Sequence, residues 1–200
     1  MFKTKILSIA FSITFMSFAF GEVAPKSMAP DFKLQDLKGS DRKLSDFKGK
    51  WVVLEWFNKD CPFVKKHYGT SNMQNLQQTY TGKGVVWLTI NSSAAGKQGN
   101  EDVAASIKTQ EALKTHNTYY LADASGVVGN LYGAKTTPHM FVISPEQKVV
   151  YAGAIDDNDS PDPSVIAKSK NYVAQALDLA MAGKAVMTAH ARPYGCMVKY

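Results

Sequence analysis

Cysteine is scarce in this sequence: its 200 residues hold two, Cys61 and Cys196. They lie 196 − 61 = 135 positions apart. The Cys-x-x-Cys spacing of a local redox disulfide is missing, because Val64 stands where its second cysteine would be. A chain of this length buries enough apolar surface to fold without disulfides, so both thiols are free for chemistry. Long hydrophobic runs are missing too. The N-terminal run, residues 6–20, is short of the roughly 20 residues a membrane-spanning helix needs. The formal charge of +6 is spread along the chain, with no arginine-rich block and no basic stripe interleaved with aromatics. That distribution argues against nucleic-acid binding. There is no internal repeat, and the 45% hydrophobic content suits one domain with a proper core. The acidic stretch Asp156-Asp157-Asn158-Asp159 lacks the glycine and the closing glutamate of a calcium loop. It reads as a solvated turn ahead of the last helix.

Residues 1–21 read as a secretory signal. Lys3 and Lys5 make a basic start, an apolar stretch follows, and Ala19-Phe20-Gly21 offers small residues where a signal peptidase cuts. Removal before Glu22 leaves a formal charge of 6 − 2 = +4. An uncleaved anchor is the alternative, since residues 16–20 are bulky. No cysteine follows the run, so a lipid-modified N-terminus is not expected. The mature chain is then expected to be periplasmic or secreted and free of the membrane, in a compartment where disulfide chemistry is a normal task.

The rest of the chain is organised around residues 50–68, KWVVLEWFNKDCPFVKKHY. The β-branched and aromatic run 51–57 has the character of a strand buried on both faces, as in the centre of an α/β sheet. It breaks at Asn58-Lys59-Asp60, and Cys61-Pro62 opens a helix, with Asp60 as N-cap and Pro62 in the first turn, where a missing N–H costs nothing. Cys61 thus sits where unpaired N–H groups and the positive end of a helix dipole favour thiolate over thiol. Lys59, Lys65 and Lys66 add positive charge in the same direction. The competing reading makes Cys61 a small buried hydrophobe.

Taken in order, residues 22–30 form an extended, partly mobile lead-in, residues 29–34 alternate like a short strand, and residues 36–40 carry a glycine turn. A helix is expected from Cys61 to about Tyr80, stopped by Gly82 and Gly84. Residues 85–90 make a second buried strand, parallel to the first across a right-handed crossover. The small polar loop 91–100 lies at a strand's carboxyl end, where sites gather in open sheets, so it borders the Cys61 site or is an ordinary solvated loop. A helix over 101–115, a strand over 119–121 and a turn with a small helix over 123–132 follow. Residues 139–143 and 148–153 make a hairpin, and residues 163–182 the last helix. The tail 184–200 shows no strong pattern.

Strand, cysteine at a helix start, strand, helix, Thr-Pro, hairpin, final helix: this order resembles the thioredoxin fold, a central mixed sheet flanked by helices. The lead-in APDFKLQDLKGSDRKLSDFKGKWVVLEW resembles the redoxin branch, which holds peroxiredoxins and membrane-anchored thiol–disulfide reductases. CPFVKKHY with the terminal PYGCMVKY resembles the peroxiredoxin-like group in which a lone site cysteine accompanies a Gly-Cys near the C-terminus. The resemblance divides the chain into a signal at 1–21, a redoxin domain at 22–183 with its N-terminal extension, and a tail at 184–200 carrying Cys196. It also implies that Thr137-Pro138 is a cis-proline loop facing the reactive cysteine and shaping the substrate groove with Asn58 and Pro62. Pro138 has no N–H, which leaves one side of that groove open. Peroxiredoxins carry a proline and a threonine or serine ahead of their cysteine; here Leu54 and Asn58 stand at those positions.

The expected function is an exported thiol–disulfide oxidoreductase. Cys61 attacks a disulfide or a peroxide as thiolate, Cys196 resolves the product, and another thiol protein supplies electrons. No organic cofactor is implied, and no oligomeric state is written in the composition. For Cys196, a permanent structural disulfide and pairing between subunits are alternatives. Other functional readings are a peroxiredoxin-like peroxidase, a redox-inert carrier, or a copper site built from Cys61, Cys196 and His139 or His67. His67, nearly two turns beyond Cys61, is expected to point away or toward the helix flank, and His116 and His190 to lie on the surface.

Overall fold

The computed structural model describes residues 22–200, so the proposed signal segment lies outside the described residues. In chain order the strands are β1 (Lys33–Asp36), β2 (Asp41–Lys43), β3 (Val52–Trp56), β4 (Val86–Asn91), β5 (Tyr119–Ala122), β6 (Thr136–Thr137), β7 (His139–Ile143), β8 (Val149–Gly153), β9 (His190–Ala191) and β10 (Cys196–Met197). The helices are α1 (Pro62–Gly69), α2 (Asn72–Thr81), α3 (Val103–Ala112), α4 (Val127–Tyr132) and α5 (Tyr172–Met181). Eight strands form one mixed sheet in the order β2-β1-β5-β4-β3-β7-β8-β9, while β6 and β10 form a separate ladder beside it.

β3 lies inside the sheet, parallel to β4 and antiparallel to β7, as its continuous burial requires. Its side chains alternate between two cores. Val52, Leu54 and Trp56 join Phe32, Leu88, Ile90, Tyr132 and Phe141 on one face. Val53 joins Phe57, Cys61, Val64, Met73, Trp87 and Leu177 on the other. Full burial of each larger side chain contributes about 1.5–3 kcal/mol. These two layers fix the carboxyl end of β3, and with it the start of α1.

Two long helices expected from periodicity are each broken. The helix after Cys61 stops at Gly69 and restarts at Asn72, because Ser71 takes a left-handed conformation (φ 60°) and the Thr70 hydroxyl bonds back to Lys66 O at 2.9 Å. The last helix divides into a 3-10 turn, Pro163–Lys168, capped by Asp162, and α5, capped by Asn171. The lead-in is tied down rather than mobile: Lys26 N–H donates to Val149 O, Ala29 N–H to Gln147 O, and Tyr132 Oη to Pro30 O. Among the described residues no helix is long and apolar enough to cross a membrane.

One buried residue of β3 breaks its apolar pattern. Glu55 has no exposed surface, and four donors converge on its carboxylate: Tyr68 Oη at 2.7 Å, Trp87 Nε1 at 2.8 Å, Gln77 Nε2 at 3.1 Å and Thr89 Oγ1 at 3.2 Å. Burial pushes the carboxyl up, and the donors offset this only in part, so its pKa is raised. A carboxyl raised above its unfolded value of about 4.3 stabilises the fold below that value and loses this contribution as pH rises through the raised one. Urea unfolding of the wild type and Glu55→Gln from about pH 4.5 to about pH 8 should therefore show the wild type losing stability relative to the variant as pH rises. A gap that does not change with pH contradicts this reading.

Candidate functional site

The chain leaves β3, turns at Asn58 and enters α1 at Cys61. Asn58 shapes that turn: its Oδ1 accepts from Asp60 N–H at 2.9 Å, and its carbonyl accepts from Cys61 N–H at 3.1 Å. The Asn58 amide also donates to Gln98 O at 3.1 Å, which joins the loop 91–100 to the site. The N-cap of α1 is Cys61 itself, not Asp60, and Pro62 occupies the first turn as expected. Cys61 has no exposed surface. Its sulfur donates to Thr137 O at 3.0 Å and meets the thiol of Cys196. Burial pushes the Cys61 thiol up, but the Cys196 thiol, the Thr137 hydroxyl and the backbone N–H groups of Val64 and Cys196 outweigh it, and the net shift is downward. No lysine is among the main causes of that shift. Lys59 is paired with Asp60 at 2.9 Å, and Lys66 is turned away and buried.

Facing Cys61, the Thr137–Pro138 peptide is cis. The tail arrives on the same loop. β10 pairs antiparallel with β6, Cys196 opposite Thr137 and Met197 opposite Thr136. Val198 N–H donates to Lys135 O at 3.0 Å, Ala94 N–H to Lys199 O at 2.8 Å, and Tyr200 Oη to Ala134 O at 2.8 Å. The tail, expected to be patternless, is thus docked at both its strands, and the two cysteines meet. Cys196 is half-buried, and burial together with the neighbouring Cys61 sulfur pushes its thiol up to about 11. Of the pair, Cys61 ionises first.

A buried polar cluster anchors this end of the tail. Tyr194 packs on Phe63 with ring centroids 5.6 Å apart and donates its hydroxyl to Asp156. Lys66 Nζ reaches Asn158 O at 2.7 Å and Asp156 Oδ2 at 3.6 Å. The Asn72 amide donates to His67 Nδ1 at 2.9 Å, leaving the Nε2 proton directed at Tyr194 Oη, 3.2 Å away. Burial and the nearby Lys66 hold His67 down to about 3, so it is neutral. Asp156 is therefore the floor of the tail's seat, not part of a solvated turn, and His67 faces this cluster rather than the helix flank. Neither Glu55 nor Tyr194 was picked out by spacing. The only sequence signal for either is a charge inside an apolar strand and an aromatic beside Gly-Cys.

The copper set does not assemble. His139 accepts from Lys135 N–H on Nδ1 and turns Nε2 toward Glu22, 3.5 Å away. Burial lowers the pKa of that imidazole, and against burial's upward push on Glu22 the His139 contact and Lys135 at 3.0 Å hold the carboxylate ionised, with a pKa of about 2. Among the described residues no group of three histidine, cysteine or carboxylate side chains is placed to hold a metal. His116 and His190 are exposed.

A mixed sheet with a cysteine at the start of α1, opposite a cis-proline loop, is the arrangement of a thioredoxin-like thiol protein. The sequence profile described as the AhpC/TSA family matches residues 25–152, and the chain belongs to that family. It is 28% identical over 130 residues to the thiol-disulfide oxidoreductase ResA of Bacillus subtilis, a match covering 64% of this chain and 66% of that protein, just under two thirds of its length. A hypothetical protein of Sinorhizobium meliloti superposes with TM-score 0.76 at 26% identity, over 90% of this chain and 96% of its own. The thioredoxin domain of a Bacteroides vulgatus thiol-disulfide oxidoreductase superposes with TM-score 0.53 at 25% identity, over 66% and 89%. The fold is thioredoxin-like.

The geometry sets an expectation for reactivity. Iodoacetamide labelling of Cys61 against pH, read by mass spectrometry, should give a midpoint below the ordinary thiol value of about 8.5. Cys196→Ala removes the largest of the contacts that lower the Cys61 pKa and should move that midpoint upward. Lys59→Ala should leave it in place, and a large Lys59 effect would contradict the assignment.

Proposed function

We propose that this protein is an exported thiol–disulfide oxidoreductase in which Cys61 is the nucleophile and Cys196 the resolving thiol. The observation that carries this reading is the meeting of the chain's two cysteines at the Thr137–Pro138 loop, with their acidities displaced in opposite directions. The Cys61 thiolate attacks one sulfur of a substrate disulfide, forming a mixed disulfide and expelling the other sulfur as thiolate. Cys196 then attacks Cys61, its proton passing to the thiolate released from the substrate. The protein is left with a Cys61–Cys196 disulfide, which a dithiol donor reduces by two electrons. Asn58 and Pro62 hold the nucleophile's turn, and Thr137 and Pro138 form the facing wall. The relatives that bear the name thiol-disulfide oxidoreductase support this activity. The basic, apolar and small-residue pattern of residues 1–21 supports export, with residues 22–183 as the catalytic domain and 184–200 as its resolving tail.

A second reading, a thiol peroxidase, is favoured by one observation: with the tail docked, Cys61 has no exposed surface, so a small oxidant reaches it more readily than a protein does. There the thiolate takes one oxygen of hydrogen peroxide to become a sulfenic acid, the other leaves as hydroxide and is protonated to water, and Cys196 condenses with the sulfenic acid to a Cys61–Cys196 disulfide, releasing a second water. Leu54 and Asn58, where peroxiredoxins carry proline and a hydroxyl, weigh against efficiency.

Turnover of a protein disulfide and of hydrogen peroxide, each with dithiothreitol as reductant, separates the two readings. The disulfide is expected to be the better substrate. Cys61→Ser should reduce both activities to background, and Cys196→Ser should accumulate a mixed disulfide on Cys61. Full activity in Cys61→Ser contradicts both readings.

A further inference from the structure

The tail does more than deliver a thiol: it fills the edge that faces Cys61. β10 is the strand partner of β6 and lies along it antiparallel, the geometry of an extended peptide added to a strand edge. Resting on the reading of Cys61 as nucleophile, we propose that Tyr194-Gly195-Cys196 is a built-in stand-in for the substrate. The partners of this edge are then extended polypeptide segments with the order tyrosine, glycine, cysteine, which displace the tail in the same register.

Each of the three positions carries its own selection. Cys196 lies opposite Thr137, whose carbonyl accepts from the Cys61 sulfur, so a cysteine there meets the nucleophile. Gly195 has φ of 128°, a conformation L side chains rarely adopt, and a Cβ there would overlap the Thr137 carbonyl oxygen. That oxygen is backbone and already engaged by Cys61, so it cannot yield cheaply. Tyr194 fills a seat between Phe63 and the buried Asp156, His67 and Lys66, where its hydroxyl satisfies the Asp156 carboxylate. A phenylalanine in that seat leaves the carboxylate one donor short.

Directly after the cysteine the edge reads no side chain, although residues 198–200 are anchored beyond it. The Met197 side chain is 73% exposed, and β10 is two residues long. A cavity of about 550 Å³ opens beside the seat, bordered by Phe63, Thr136, Asp156 and Tyr172, giving an incoming segment room to enter alongside the tail. A tethered strand competes at an effective concentration of roughly millimolar, so exchange should show at millimolar peptide.

The test uses the reduced full-length protein and peptides of sequence Arg-Pro-Tyr-Gly-Cys-Met-Val-Lys, each with its cysteine held as a mixed disulfide with thionitrobenzoate. Cys61 attacks the peptide sulfur, the bond to thionitrobenzoate breaks, and the released thiolate is read by absorbance. Replacing the peptide's glycine with alanine should slow release by about tenfold or more, and replacing its tyrosine with phenylalanine should slow it by a smaller factor. Gly195→Ala in the full chain vacates the edge and should speed reaction with the glycine peptide. If that variant does not fold, the comparison of peptides on the wild type decides alone. Equal rates for the glycine and alanine peptides, with dithiobis-nitrobenzoate still modifying Cys61, overturn the inference and leave the oxidoreductase reading standing. Failure of Cys61 to react with that small disulfide as well removes both.

Discussion

The pairing of β10 on β6 is the contact on which the site depends. Without it the cysteines are separated by most of the chain, one at a helix start and the other in the last five residues. With it, Cys196 lies opposite Thr137 and the sulfurs meet. Two residues of ladder are too few to hold a strand by themselves, so the anchors on either side matter. Tyr194 is set in the Asp156 cluster on one side, and Tyr200 is bonded to Ala134 O on the other.

The anchor under Tyr194 is costly. Asp156 and Lys66 are almost wholly buried, and taking two charges out of water is repaid only when their remaining hydrogen-bonding capacity is met. Here Asn158 O, the Tyr194 hydroxyl and the Asn158 N–H meet it. The hydroxyl comes from the tail, so Asp156 is best satisfied when the tail is seated. The buried charge and the position of the resolving thiol are thereby coupled. The same docking hides Cys61 from solvent, which sets ready resolution against access.

Much of the architecture was legible in residues 50–68. β-branched and aromatic packing forced β3 to the centre, and the break at Asn58 with Pro62 after it fixed the start of α1. The Thr137-Pro138 wall and the Cys61–Cys196 pair followed from the redoxin resemblance, not from periodicity. What could not be read was tertiary. The breaks at Ser71 and before Asn171 cost one or two residues each and leave helical periodicity almost intact on either side. The lysines around Cys61 look activating in one dimension, but Asp60 and Asp156 claim two of them in space. The tail has no pattern of its own because its order comes from the surfaces it lands on. Glu55 hid within an apolar run because its four donors come from β4, α1 and α2.

The central claim is that Cys61 and Cys196 form one reversible redox couple within a single chain. Its most direct test is mass spectrometry of non-reduced peptides from protein equilibrated across a series of glutathione redox buffers. A monomeric Cys61–Cys196 disulfide that appears and disappears within the glutathione range is the predicted result. A bond that persists below about −300 mV, or one that links two chains, would contradict it.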